Sequence, residues 1–199
     1  MAEVDGSRWF LQYDAAVAAA KETHKPILLQ FHRDKCAGCK KLYALTYPDA
    51  EVAAELYDWF VPLRLDILQN REIRARYAAV WTPSFYVLDR SGKLHFHLDG
   101  YLGPEDFRVV LRLAKATVDT TRGRYDAVMA LMEDGLSRFP DNPRAAAMLF
   151  RKGMTWYLST GDRDAFRDPM LDILERYPAS PEARMWPWLD EPEIAAGAA

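Results

Sequence analysis

The two cysteines of this 199-residue chain, Cys36 and Cys39, lie three positions apart, and there is no third cysteine. Residues 40–45 predict a helix that begins at this pair. A spacing of three at a helix start brings both sulfur atoms to one side of the first turn, close enough to bond. The unpaired N–H groups and partial positive charge of a helix N-terminus favour a thiolate. The pattern therefore indicates thiol–disulfide chemistry, with a lowered pKa at Cys36.

Charged neighbours act on the same pKa. Asp34 opposes the thiolate, whereas four nearby cations favour it: Arg33, Lys35, Lys40 and Lys41. Cys36 is at the helix end and nearer to solvent, so it is predicted to be the nucleophile. Cys39, one turn further in, is predicted to be the resolving thiol. Cys36 would attack a substrate disulfide to form a mixed disulfide, and Cys39 would then release the product.

The pair has two other possible interpretations. The cysteines could form half of a zinc site, but zinc needs two further ligands and there is no second cysteine pair. Three histidines could contribute, namely His32, His95 and His97. The cysteines could also be inert core residues, although burial does not explain their position at a helix start. Redox chemistry is favoured over zinc, and zinc over inert cysteines.

The cysteine pair must be positioned by the strands and helices that the rest of the sequence predicts. A short apolar run at residues 27–32 predicts a buried central strand that ends just before the cysteines. Further strands are predicted at residues 60–67, 84–88 and 94–98, the last two joined by a turn at 89–92. Helices are predicted at residues 7–23, 40–45, 50–59, from a cap at Asn70 to residue 79, and at 104–118. This order predicts an α/β fold with a mixed central sheet flanked by helices.

The chain after about residue 120 is predicted to be entirely helical, and it repeats itself. Five residues and one aromatic position recur with an offset of 38 positions: Leu136, Arg138, Phe139, Pro140, Pro143 and Ala145 correspond to Leu174, Arg176, Tyr177, Pro178, Pro181 and Ala183. Two helix–turn–helix units are the simplest interpretation. Two units are fewer than a free-standing solenoid usually needs, so we expect them to lean on the first domain.

The bulk composition excludes several classes of partner. The net charge is −3 and no strongly basic stretch occurs, which argues against nucleic acid or an anionic membrane. No apolar run reaches the roughly 18 residues of a membrane span. The first residues lack the positive start and apolar run of a secretory signal, so a cytoplasmic location is expected. A trimmed, exported chain would look the same.

Several motifs in order carry a resemblance to the thioredoxin superfamily over residues 9–115. They are the run of residues 25–31 before the cysteines, residues 49–52 after the active helix, the strand that ends at Asp66, residues 81–85 and residues 88–93. The resemblance implies a thioredoxin fold over residues 1–119. Residues 120–199 resemble tetratricopeptide-type repeats, which usually bind protein segments. A helical cap on the first domain is the alternative, and both remain open.

The resemblance also implies a substrate site. The counterpart of Pro83 follows a cis peptide bond beside the cysteines, and the Thr82 backbone can pair with an extended substrate strand. The loop around Gly100 completes the docking groove, with Trp81 and Tyr101 as its apolar wall. Taken alone, Pro83 could be an ordinary proline at the start of a strand.

The sequence departs from the thioredoxin pattern at three places. Lys35 stands where the family usually has Trp before the first cysteine. Ala37 and Gly38 replace the usual Gly-Pro between the cysteines, so the redox direction is open. Gln30 replaces the buried acid that relays a proton for the resolving thiol, so Cys39 would need water or another base.

The sequence thus predicts a thiol–disulfide oxidoreductase that acts on protein disulfides and needs no cofactor beyond its dithiol. A cytosolic location would favour reduction, with an electron donor of the thioredoxin-reductase type, and export would favour oxidation or isomerisation. The alternative is a non-catalytic or redox-switched adaptor that holds a protein partner on its helical tail. Gln30 and Lys35 are the features that favour the adaptor.

Overall fold

The computed structural model describes residues 8–185. The chain divides into two compact units, Met1–Val118 and Asp119–Ala199. Within the described part, no helix has the length and apolar character needed to cross a membrane.

The first unit is built on a four-stranded sheet whose strands lie in the order β2-β1-β3-β4. The strands are β1 (Ile27–His32), β2 (Val61–Asp66), β3 (Ser84–Leu88) and β4 (Leu94–Asp99). Strand β1 pairs with β2 in parallel, whereas the β1–β3 and β3–β4 pairs are antiparallel. Helices flank this mixed sheet, so the predicted thioredoxin fold is confirmed.

The helices follow the predicted order. Those of the first unit are α1 (Tyr13–Thr23), α2 (Ala37–Lys41), α3 (Ala50–Trp59), α4 (Arg71–Arg76) and α5 (Pro104–Thr121). A π-helical turn, Leu42–Thr46, continues α2. The second unit is helical, with α6 (Tyr125–Arg138), α7 (Ala145–Thr160), α8 (Asp164–Arg176) and a 3₁₀ turn at Ala183–Met185.

The alternation of β1 side chains between two cores explains its continuous apolar sequence. Ile27, Leu29 and Phe31 belong to the core that includes Ala16 and Ala20 of α1. Leu28 belongs to the opposite core, with residues of the π-helical turn, α3 and α5: Leu42, Val52, Leu56, Phe107 and Leu111. Burial on both faces fixes the end of β1, from which the cysteines follow.

The prediction that the first helix begins at residue 7 is wrong, because α1 begins at Tyr13. The Phe10 backbone instead joins the edge of β2: its N–H donates to the Pro62 carbonyl at 2.8 Å, and its carbonyl accepts from the Arg64 N–H at 2.9 Å. Trp9 is buried in the core. A free strand edge has unpaired backbone groups, and satisfying them outweighs helix propensity here.

The two short helices α3 and α4 differ in their caps. The Asp49 carboxylate caps α3, accepting from the N–H groups of Glu51 at 3.0 Å and Val52 at 2.9 Å. Asn70 precedes α4 but makes no side-chain capping bond; its amide donates to the Asp66 carbonyl. Helix α4 ends at Arg76 rather than residue 79, and Ala78 then has a left-handed φ of 52°.

Replacing Asp49 with alanine is expected to lower the free energy of unfolding by about 1 kcal/mol, because two N–H groups of α3 lose their acceptor. Asp49→Asn is the matched control, since an asparagine oxygen caps about as well. Urea unfolding of both variants tests this. Equal losses in the two variants would assign the effect to the charge rather than to the cap.

The second unit repeats in structure as it does in sequence. Helices α6 and α8 end at residues 38 apart, and the next residues, Phe139 and Tyr177, have nearly the same backbone angles (φ −131°, ψ 52° and φ −131°, ψ 50°). The Tyr177 hydroxyl donates to the Pro140 carbonyl at 2.7 Å and joins the two repeats. Gly153 lets α7 approach α8 closely, because a Cβ there would lie 2.9 Å from Pro169.

Candidate active site

The two cysteines lie at the junction between β1 and α2. Cys36 is the N-cap of α2, and its Sγ accepts a hydrogen bond of 3.1 Å from the Cys39 N–H. The pair forms a disulfide with a Cα–Cα distance of 5.2 Å. Cys36 is half-buried and Cys39 is fully buried. The reactive sulfur predicted from the sequence is thus the one nearer to solvent, with an N–H group positioned to stabilise its thiolate after reduction.

Two loops lie against the cysteine turn. A Cβ built on Gly38 would lie 2.8 Å from Cδ of Pro83 and 3.6 Å from Cβ of Tyr101, so the absence of a side chain permits this approach. The Thr82–Pro83 peptide bond is cis. The Gly100 N–H donates to the Pro83 carbonyl at 2.8 Å, which ties the two loops together. The structure therefore brings Pro83, Gly100 and Tyr101 together beside the dithiol.

The residues before Pro83 present unpaired groups. Within residues 8–185, the Thr82 backbone makes no hydrogen bond, so its N–H and carbonyl are left unpaired. The Trp81 side chain is 60% exposed. Tyr101 is also exposed, and the Lys41 ammonium lies 5.5 Å from its ring centroid. An exposed ring and a free peptide group beside a disulfide can hold a substrate segment.

Beneath this surface, Gln30 occupies a buried polar cluster that sequence reasoning found only in part. The Tyr47 hydroxyl donates to Gln30 Oε1 at 2.7 Å. Strand register places Gln30 opposite Arg64, whose guanidinium lies 4.9 Å from the Tyr43 ring centroid. Gln30 Nε2, the Tyr43 hydroxyl and Arg64 Nε are buried without a partner in the described residues. The missed signal is the spacing of four that places Cys39, Tyr43 and Tyr47 on successive turns.

The chemistry of this cluster differs from that of a buried carboxylate. Burial raises the pKa of Tyr43 and of Tyr47 above the ordinary value, so both phenols stay protonated at neutral pH. The Gln30 amide cannot take a proton. Burial, followed by the positive charge of Arg64, lowers the pKa of His32, whose ring lies 6.4 Å from that of Tyr43. The lowered pKa favours the neutral imidazole, which can accept a proton.

The histidines considered for zinc have other contacts. His95 Nε2 lies 3.0 Å from Asp89 Oδ2, and the His95 side chain is buried. His97 stacks on Tyr86 with ring centroids 4.4 Å apart. In the described part of the chain, no group of three or more His, Cys, Asp or Glu side chains could hold a metal ion.

This chain is similar to known thioredoxin-like proteins in both sequence and structure. A model of the thioredoxin-like domain matches residues 13–115. The chain is 32% identical over 111 residues to the thiol:disulfide interchange protein DsbD of Ralstonia nicotianae, which covers 53% of this chain and 18% of that protein. The oxidised C-terminal domain of Neisseria meningitidis DsbD is 25% identical, covering 50% of this chain and 92% of that domain, with a TM-score of 0.44. A Thermus thermophilus thioredoxin is 24% identical, covering 53% and 84%, with a TM-score of 0.48.

The expected cytoplasmic location is wrong. The relatives found by sequence are DsbD proteins, which act in the periplasm or are exported. The expectation rested on the composition of the first residues, which does not by itself report the compartment. The expectation that the protein reduces its substrates depended on a cytosolic location, so it is no longer supported.

Proposed function

The chain belongs to the family of thioredoxin-like domains, and on that basis we propose that it exchanges disulfides with protein substrates through Cys36 and Cys39. The observation that carries this proposal is the asymmetry of the pair. Cys36 is accessible and accepts a helix N–H, whereas Cys39 is buried one turn behind it. A nucleophile in front and a resolving thiol behind are what two-step exchange requires.

The proposed reaction conserves electrons at each step. In the reduced protein, the Cys36 thiolate attacks one sulfur of a substrate disulfide, and the other substrate sulfur leaves as a thiolate. The Cys39 thiol then loses its proton and attacks Cys36 Sγ. The Cys36–Cys39 disulfide forms and the second substrate thiolate is released, so two electrons pass to the substrate. The reverse sequence oxidises a substrate dithiol.

Substrate positioning is assigned to the two loops beside the dithiol. The unpaired Thr82 backbone would form hydrogen bonds with an extended substrate strand. Pro83, which packs against Gly38 and is bonded to Gly100, would form the base of the binding groove. The exposed rings of Trp81 and Tyr101 would contact substrate side chains. An electron donor of the thioredoxin-reductase type stays a prediction.

Replacing Cys36 with serine is expected to abolish exchange, because the serine hydroxyl cannot form the mixed disulfide. The assay mixes pre-reduced protein with a disulfide-bonded protein and counts the thiols transferred. Ala37→Ser is the matched control, since it adds the same hydroxyl at the adjacent position and keeps both sulfur atoms. Residual turnover in Cys36→Ser at the rate of the control would refute the proposed mechanism.

The helical unit, proposed here as residues 120–199, supports a second candidate function. Helix α7 ends with three exposed apolar side chains: Trp156, Tyr157 and Leu158. We assign the repeated helices to the tetratricopeptide type, whose repeats bind protein segments. A partner whose binding survives Cys36→Ser but is lost in Trp156→Ala would favour an adaptor function over catalysis.

A further inference from the structure

A second surface feature begins where the proposed substrate loop ends. A groove of about 680 Å³ is lined by Thr82 and the loop before it, by α4, by Arg33 and by the segment after β2. Three large apolar side chains in its lining are exposed: Leu68 by 46%, Val80 by 86% and Trp81 by 60%. Single exposed apolar residues are ordinary, but several lining one groove mark a binding surface.

The loop that carries the apolar side chains is held in a restricted conformation. Ala78, also in the lining, has a φ of 52°, a left-handed conformation that residues with a Cβ rarely adopt. Ala79, the next residue, is buried, and its N–H donates to the Arg74 carbonyl at 3.0 Å. The backbone of this loop is therefore fixed while Val80 and Trp81 face solvent.

The charges in the groove have one sign. Arg33 and Arg74 both contribute to the lining, and no acidic residue does. Within residues 8–185, neither guanidinium forms an ion pair or a side-chain hydrogen bond. Arg76, on the same helix as Arg74, shows the contrast: it pairs with Glu72 at 3.1 Å. Two arginines without counter-ions beside apolar side chains are suited to a carboxylate next to an apolar residue.

We propose that this groove binds the segment of a substrate protein that flanks its reactive cysteine, and that it selects segments carrying an apolar residue and an acidic residue. The inference rests on the proposed exchange function. The apolar side chain packs against Leu68, Val80 and Trp81, and the carboxylate contacts Arg33 and Arg74. Because Thr82 belongs to both the groove and the proposed pairing loop, an extended substrate passes from one to the other without a gap.

The test compares three disulfide-linked peptide substrates of equal length. Each carries leucine near the reactive cysteine, and they differ by glutamate, glutamine or lysine at the neighbouring position. We expect the glutamate peptide to be reduced with a kcat/KM about five- to tenfold above that of the lysine peptide at low salt. The glutamine peptide should lie between them, and added salt should shrink the ratio.

The matched variants isolate the two groove arginines. Arg33→Gln/Arg74→Gln should bring the glutamate-to-lysine ratio close to one, whereas Lys21→Gln/Arg71→Gln removes the same charge outside the groove and should keep it. The ratio is taken within each variant, so an altered Cys36 pKa cancels. A ratio of one in the unmodified protein, or an equal fall in both variants, overturns the groove proposal while exchange itself stands. Failure to reduce any peptide, or the small neutral hydroxyethyl disulfide, overturns the proposed function and this inference with it.

Discussion

Protein in which Cys39 is replaced by serine is expected to accumulate as a covalent complex with its substrate. Cys36 keeps its place at the N-cap of α2 and still attacks, but the thiol that would displace the substrate is gone. Cys39 is fully buried and its N–H contacts Cys36 Sγ, so no external thiol takes its position easily. An intramolecular attack of this kind has a large effective concentration, and release should slow about a thousandfold or more.

The trapped complex is measured on non-reducing gels and by mass spectrometry, with reductant restoring the free chain. Cys36→Ser and the double variant Cys36→Ser/Cys39→Ser are the controls, and neither should form the complex. Covalent capture by Cys36→Ser would show that Cys39 attacks first and would reverse the assigned roles. Absence of any complex with Cys39→Ser, despite active unmodified protein, would show that exchange does not pass through a stable mixed disulfide.

Replacing Glu55 with glutamine is expected to give the largest loss of stability, about 3 kcal/mol. Glu55 joins α3 to α5, and its side chain is 12% exposed. Its carboxylate accepts two hydrogen bonds of 2.8 Å from Arg112, one to each oxygen, and bonds of 2.8 and 3.0 Å from Arg108. The Arg112 side chain is 2% exposed, and its guanidinium lies 5.2 Å from the Trp59 ring centroid. Removing one charge of a buried group costs far more than removing a surface charge.

Glu51→Gln is the matched control for Glu55→Gln. Glu51 lies on the same helix and also contacts Arg108, but its side chain is 63% exposed. Its loss should cost about 1 kcal/mol or less. Urea unfolding at neutral pH compares the two variants. Equal destabilisation would show that burial does not strengthen the Glu55 interaction.

The same carboxylate predicts a pH dependence. Burial works to raise the pKa of Glu55, but the hydrogen bonds from Arg112 and Arg108 outweigh it and hold the pKa below the ordinary 4.5. The stabilisation is therefore complete above that value and is lost as the pH falls through the lower folded-state pKa. The unmodified protein should lose stability between these two values more steeply than Glu55→Gln. Parallel curves for the two proteins would contradict the assignment.

The sequence by itself determined the local elements and the reactive pair. The apolar run of β1 and the helix start at Cys36 are short-range patterns, each settled by neighbouring residues along the chain, and the 38-residue repeat is visible in the residue types alone. Propensity, capping and side-chain periodicity act over a few residues, so these features could be predicted. Their order predicted an α/β fold with a mixed sheet, and the resemblance of the motifs to the thioredoxin superfamily implied the thioredoxin fold.

The tertiary structure decided what depends on residues far apart in the chain. It placed Phe10 on the edge of β2, where an unpaired strand edge outweighed the predicted helix. It brought Gly38 against Pro83, and it closed the network of Glu55 with Arg112. The partners in each of these contacts lie tens of residues apart, and only the packed chain satisfies their buried polar groups and fills the space between them. The sequence therefore specified the chemistry of the dithiol, and the packing specified the surfaces around it.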